Sequence, residues 1–298
     1  MNLLNFQTSY RPFQTFSAYL DFFLPRMYSH ELWPVYEEYL FMIFGRAFDR
    51  FAADGGLDVD LSHDVDKYNT RELVTFRSCL LGYEPCVRMA KERYAELRAN
   101  CSGEHQLLSD IECNKIPYYL RSPVYSTAIG HGTQGDFDFL FAKWKTEHYM
   151  LEKERIFAGL CSTDSRENSD AAWLALLQNR ARENMRLRAI SCSKKVTRQA
   201  LLVDFLHDRP ELVNELMETV GDMALQNIIV LAFRNIFSTE QLEKLDVTLT
   251  RMGDYGKRFR GMRNQALVRQ EWRETVAPLI AGNATEAMMT MRSRQIAV

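Results

Sequence analysis

Gly130, Gly132 and Gly135 spell G-x-G-x-x-G after an apolar run. Glycines at that spacing let a turn approach a dinucleotide pyrophosphate, provided that a strand precedes the turn and a helix and second strand follow. Val124–Ile129 would have to be the first strand, but Ser122-Pro123 before it reads as an N-cap and first turn of a helix. The second strand would be Arg155–Leu160, where only Ile156 is β-branched. No parallel sheet can be assembled around the motif, and the stretch reads as a glycine corner between two helices.

Zinc hydrolysis needs a pattern such as H-E-x-x-H. His30-Glu31 begins one, but Pro34 stands where the second ligand belongs. His63, His105, His131, His148 and His207 have no histidine four residues on. The acidic run Asp58, Asp60, Asp64 and Asp66 lacks the glycine and final glutamate of a calcium loop and reads as solvated. Gly-x-Ser-x-Gly and P-loop patterns are absent. Cys161 and Cys192 sit in apolar helical patterns, which predicts structural thiols rather than nucleophiles. The expectation is a chain without catalytic machinery of its own: catalytic residues none, metal ligands none, cofactors none.

Cys79 and Cys86 bracket Leu-Leu-Gly-Tyr-Glu-Pro, one ending a helix and the other opening the next. Folding back across Gly82 would bring them to disulfide distance; two reduced buried cysteines are the alternative. The spacing excludes a C-x₂-C zinc knuckle. Asn100-Cys101-Ser102 and Asn283-Ala284-Thr285 are candidate N-glycosylation sequons.

Composition narrows the classes. The 298 residues are 46% hydrophobic and 26% charged, with a net charge of −2. That allows a large buried core and gives no basic excess for nucleic acid. The cluster Lys257, Arg258, Arg260 and Arg263 has only Phe259 interleaved and reads as a solvated helix face. The apolar runs Tyr39–Phe44 and Ile228–Phe233 are far short of a bilayer span, so direct membrane insertion is not expected. The N-terminus lacks the pattern of a signal peptide, and no targeting signal is visible.

Helical periodicity organises the chain. Residues 1–11 read as an extended lead-in, with Arg11-Pro12 disfavouring helix before the proline. Helices are predicted over 36–51, about 70–81 ending at Gly82, 85–97, from Ser122-Pro123, from Asp136 through Trp144, and over 150–161, 170–178, 182–192, 196–206, 210–220, 222–233, 238–250 and 262–279. Residues 99–116 read as a polar loop. Asp222–Phe233 is apolar nearly all round and is predicted to be the most buried helix. Ser238-Thr-Glu-Gln241 is a capping box. Short connections predict stacked antiparallel hairpins: an all-α, HEAT-like right-handed α-solenoid with a concave face. One helical-repeat domain is expected over 12–280, followed by a disordered tail over 281–298.

Three stretches resemble the C-terminal helical domain of gluzincin zinc aminopeptidases of the aminopeptidase N type. The first is Arg77-Ser-Cys79-Leu-Leu-Gly82-Tyr-Glu-Pro-Cys86. The second runs Leu120-Arg121-Ser-Pro-Val124-Tyr125-Ser126-Thr-Ala128-Ile129, then Gly132, Asp136-Phe137-Asp-Phe139-Leu140 and Trp144. The third is Val203-Asp204-Phe205-Leu206 with Phe237-Ser-Thr-Glu240 beyond. The similarity covers roughly residues 12–278.

There are departures. Ser126 stands where the family has a cysteine, so the resemblance leaves Cys161 unpaired or seeking Cys113 or Cys101. Met185–Ile190 matches its family helix poorly, and the C-terminal helix looks short.

The resemblance implies a non-catalytic domain that caps the active-site chamber and shapes peptide access. The H-E-x-x-H and zinc would lie in an upstream catalytic domain. That domain and the C-terminal portions of peptides are the implied partners, with a homodimer possible. The implied location is extracellular or luminal, at the plasma membrane if the parent is a tethered ectoenzyme. No motif assigns individual peptide-binding residues. The alternative is a free-standing helical interaction protein without peptidase activity, which the initial Met and missing signal peptide favour slightly.

Overall fold

The computed structural model describes residues 10–27, 31–53, 57, 64–178, 196–211, 222–233, 236, 238–259 and 261–296. Among them the secondary structure is helical, with no strand. The helices expected over 182–192 and most of 210–220 lie outside the described residues. So do His30, Asp58, Asp60, His63, Met185–Ile190, Cys192, Phe237 and Arg260.

The helices are α1 (Tyr10–Met27), α2 (Trp33–Ala53), α3 (Val65–Leu81), α4 (Glu84–Asn100), α5 (Tyr118–Gly130), α6 (Gln134–Thr146), α7 (Met150–Leu160), α8 (Arg166–Gln178), α9 (Val196–Asp208), α10 (Asp222–Phe233), α11 (Thr239–Arg251) and α12 (Gly261–Ile296). A short helical turn at Gly253–Gly256 and a 3₁₀ turn at Lys257–Phe259 join α11 to α12.

The packing order is that of two layers. α1 touches α3, α3 touches α5 and α5 touches α7, while α2, α4 and α6 pack against that row from their own layer. The row continues through α8 to α9, which packs on α10 and α11. Connections of two to three residues at 82–83, 131–133 and 147–149 reverse the chain, so α5 and α7 run in the same direction.

Aromatic rings tie successive helices. Trp144 lies 5.7 Å from Phe157, Phe157 6.0 Å from Trp173, and Trp173 6.4 Å from Phe205 between centroids. Each such contact adds about 0.5–1.5 kcal/mol beyond area burial. Buried polar groups lock the first hairpins. Arg77 Nε donates to Ser17 Oγ at 2.8 Å, joining α3 to α1. Ser78 Oγ donates to the Phe44 carbonyl at 3.0 Å, joining α3 to α2.

Four expectations need correction. α1 begins at Tyr10, inside the expected lead-in; Pro12 falls in the first turn, where a missing N–H breaks no intrahelical bond. α5 begins at Tyr118 after Pro117, so Pro123 is interior rather than a first-turn residue. Burial of Tyr119, Leu120 and Arg121 outweighs the local Ser-Pro signal. Residues 281–296 are the end of α12 rather than a disordered tail, because Ala281, Ala284 and Met288 bury a stripe at helical spacing. Pro278 is exposed within that helix, so water can satisfy the carbonyl its ring leaves unbonded. Finally, α10 is not buried all round: Ile228, Ile229, Ala232 and Phe233 are covered, but Val230 is 39% exposed.

Candidate functional site

A groove along the α3–α5–α7 row is built by three helical stripes. α3 supplies Asn69, Glu72, Leu73, Phe76 and Leu80, which fall on one helical stripe at spacings of about one turn with Glu72 and Leu73 adjacent. α5 supplies Ser122, Pro123, Ser126, Thr127 and, at its end, His131. α7 supplies Leu151, Glu154, Arg155 and Ala158, with Ser162 just beyond. The space between them is about 400 Å³. Small residues on α5 form its floor, with longer apolar and charged residues on the walls. Such a trough suits an extended chain bearing apolar side chains and a few polar anchors.

The floor is rigid because of what lies beneath it. Gly159 lets α7 approach α5: a Cβ there would sit 2.7 Å from Tyr125 Cβ. Arg121 is 1% exposed and its guanidinium reaches Glu152 at 2.9 Å, the Leu108 carbonyl at 3.0 Å and the Ile116 carbonyl at 3.1 Å. Tyr125 donates to Glu152 at 2.6 Å and accepts from the Asn114 amide at 2.8 Å. Burial, followed by the Glu152 carboxylate, pushes the Tyr125 hydroxyl well above its ordinary pKa, so it stays a proton donor. Arg155 also pairs with Glu152, at 3.2 Å, and the Arg121 and Arg155 guanidinium groups lie 4.2 and 5.0 Å from the Tyr118 ring. The groove's one arginine is thus held by groups behind it.

The 101–117 segment is a loop, as its composition predicts, but it is pinned rather than solvated. Cys101 and Cys113 form a disulfide, and Leu108, Asn114 and Ile116 are buried. Lys143 Nζ donates to the Gly103 and Gln106 carbonyls at 2.7 and 2.8 Å. Glu147, fully buried, accepts from Ser109 N and Oγ and from the His148 and Tyr149 amides. Four donors compensate the removal of that carboxylate from water.

Cys79 and Cys86 are joined across the α3–α4 corner, Cα to Cα 5.1 Å, with Gly82 left-handed at φ 87°. Cys161 is also disulfide-bonded. The Cys101–Cys113 bond corrects the expectation that Cys161 would be unpaired or would seek one of those two residues.

The glycine corner carries no phosphate-binding geometry, since a helix precedes it. Gly132 is required by space: a Cβ would lie 2.1 Å from the Ala128 carbonyl oxygen. Asp136 closes a capping box, accepting from Thr133 N at 2.7 Å and Thr133 Oγ1 at 2.8 Å, and pairs with Arg98 at 2.6 Å. Burial opposes ionisation of Asp136. The Thr133 donors and Arg98 outweigh it and hold the carboxyl below its usual pKa.

The remaining motif residues are interior. Val124, Ala128, Phe137 and Leu140 are buried in the core, and Phe139 is half-buried beneath Arg98. Asn100 is exposed at the end of α4, beside the Cys101 bridge; Asn283 is exposed within α12. Sequence reasoning missed Glu147 and Glu152, whose only signal is a carboxylate among helical apolar positions. It also left the groove residues unassigned, since they come together only when three separated stripes align.

Among the described residues no group of three or more His, Cys, Asp or Glu side chains is placed to hold a metal ion. No described helix is long and apolar enough to cross a membrane. No curated protein sequence matches the chain significantly. Residues 1–270 match the ERAP1-like C-terminal domain. The chain therefore belongs to the ERAP1-like C-terminal domain family, the C-terminal domain of M1 zinc aminopeptidases.

Proposed function

We propose that this chain is the non-catalytic wall of an aminopeptidase chamber, and that the α3–α5–α7 groove receives the portion of a peptide distant from the bond being cut. The observation that carries the reading is the groove itself: three parallel stripes, open along their length, over a floor fixed by Arg121, Glu152 and Tyr125. A peptide passed to a separate catalytic domain needs such a surface to be rigid, so that binding orders the peptide and not the protein. Peptide bond cleavage and its zinc belong, in this reading, to the catalytic domain of the parent enzyme. In this reading the face bearing the groove is the concave face of a HEAT-like array. Disulfide bonding of Cys79, Cys86, Cys101, Cys113 and Cys161 supports an extracellular or luminal setting. Exposed Asn100 is the better glycan acceptor of the two, because Asn283 lies mid-helix.

Fluorescence polarisation with labelled peptides of nine to sixteen residues tests this. The wild-type chain is expected to bind, and Ser126→Trp, which fills the floor, to weaken binding at least about tenfold. Equal binding by both proteins, or none by the wild type, refutes the reading.

A further inference from the structure

We propose that residues 271–289 of α12 are a strap that joins the two ends of the helical array and opens as a unit, uncovering Leu32, Trp33 and Tyr36. α12 leaves the array beside α11 and the 3₁₀ turn, and it also packs on α1 and α2 at the opposite end. Its 36 residues reach about 54 Å at the helical rise. One helix therefore spans from the last hairpin to the first.

The contact at α2 is a small apolar cluster separate from the main core. Tyr36, Ala277 and Ala281 are buried in it, with Trp33, Trp272 and Ile280 at its margin. All of its α12 members lie beyond residue 270, where the family match stops. Ala284 and Met288 give the strap its attachment to the main core. Its buried positions are thus mostly alanines, which remove little apolar area from water for the length of helix they hold.

A second observation points to reversible closure. Tyr36 is 7% exposed, and its hydroxyl finds no hydrogen-bond partner among the described residues. A buried hydroxyl without a partner opposes the closed state and is relieved when water reaches it. The outer face of α12 already presents Val268, Leu279 and Met289 to solvent, each more than 60% exposed. Opening this contact would release α1–α2 from α11 while leaving the core beneath α5 and α7 intact. The strap would then set how far the ends of the array can part.

Hydrogen exchange followed by mass spectrometry on the full chain tests the proposal. Residues 271–289 and 32–36 should exchange in step, at least about tenfold faster than α5 and α7. Tyr36→Phe removes the unpartnered hydroxyl and should slow both segments about tenfold. Ala281→Trp wedges the contact and should speed both, with a larger radius of gyration in solution scattering. If Ala281→Trp fails to fold, the Tyr36→Phe result decides alone. Exchange of 271–289 in step with α5 and α7, or no response to Tyr36→Phe, overturns the strap.

Discussion

Arg121 and Glu152 form an ion pair 2.9 Å long with side chains 1% and 0% exposed. It ties α5 to α7, and through further bonds from Arg121 it also holds the 101–117 loop. A buried pair is costly to break because the surviving charge stays in a low-dielectric site. Arg121→Met is expected to destabilise the chain by about 3–5 kcal/mol. Adding Glu152→Leu should not recover the loss, since Arg155 still neutralises Glu152 in the single variant and the buried Tyr125 hydroxyl would lose its acceptor. Urea unfolding of the single and double variants measures both effects.

The Cys101–Cys113 bridge closes a loop that side chains from α5, α6 and the α6–α7 connection also hold. Replacing both cysteines with serine should cost about 2–3 kcal/mol. Limited proteolysis of this variant should cut first between residues 102 and 112. The equivalent change at Cys79 and Cys86 should cost a similar amount without exposing that loop.

Asp136 links stability to pH. Its carboxyl is held below the usual value, so the ionised form favours the folded chain above the ordinary carboxylate pKa of 3.8. That contribution is lost as pH falls through the lower, folded-state value. Asp136→Ala should lower stability by about 1–2 kcal/mol at neutral pH. The gap between the two proteins should narrow below about pH 4. Thermal melts from pH 3 to 7 test the convergence.

Two of the three glycines of the corner, Gly132 and Gly135, should respond oppositely. Gly132→Ala drives a Cβ against the Ala128 carbonyl and is expected to cost at least about 2 kcal/mol. Gly135, inside α6, has nothing closer than 3.7 Å to a new Cβ, so Gly135→Ala should stabilise by about 0.5–1 kcal/mol. Paired melting curves distinguish this corner from one kept open for a ligand.

Much of the fold is readable from periodicity alone. The stripe Phe137, Leu140, Phe141 and Trp144 marks α6, and Gly82 marks the end of α3. The start of α5 is not readable, because Ser122-Pro123 is a strong local signal while the bonds of Arg121 that override it are long-range. The end of α12 is missed for the opposite reason: its buried stripe is made of alanines, whose pattern is faint in hydropathy. The groove needs three stripes from separate helices, and no single segment contains as much as half of it.

Photo-crosslinking tests the central claim most directly. A peptide carrying a benzophenone near its C-terminus, irradiated with the full chain and mapped by mass spectrometry, should attach to residues 69–80, 122–131 and 151–162. Unlabelled peptide should compete the adduct away, and Ser126→Trp should abolish it. Adducts confined to α4 and α6, or adducts in the groove that survive Ser126→Trp, would contradict the account.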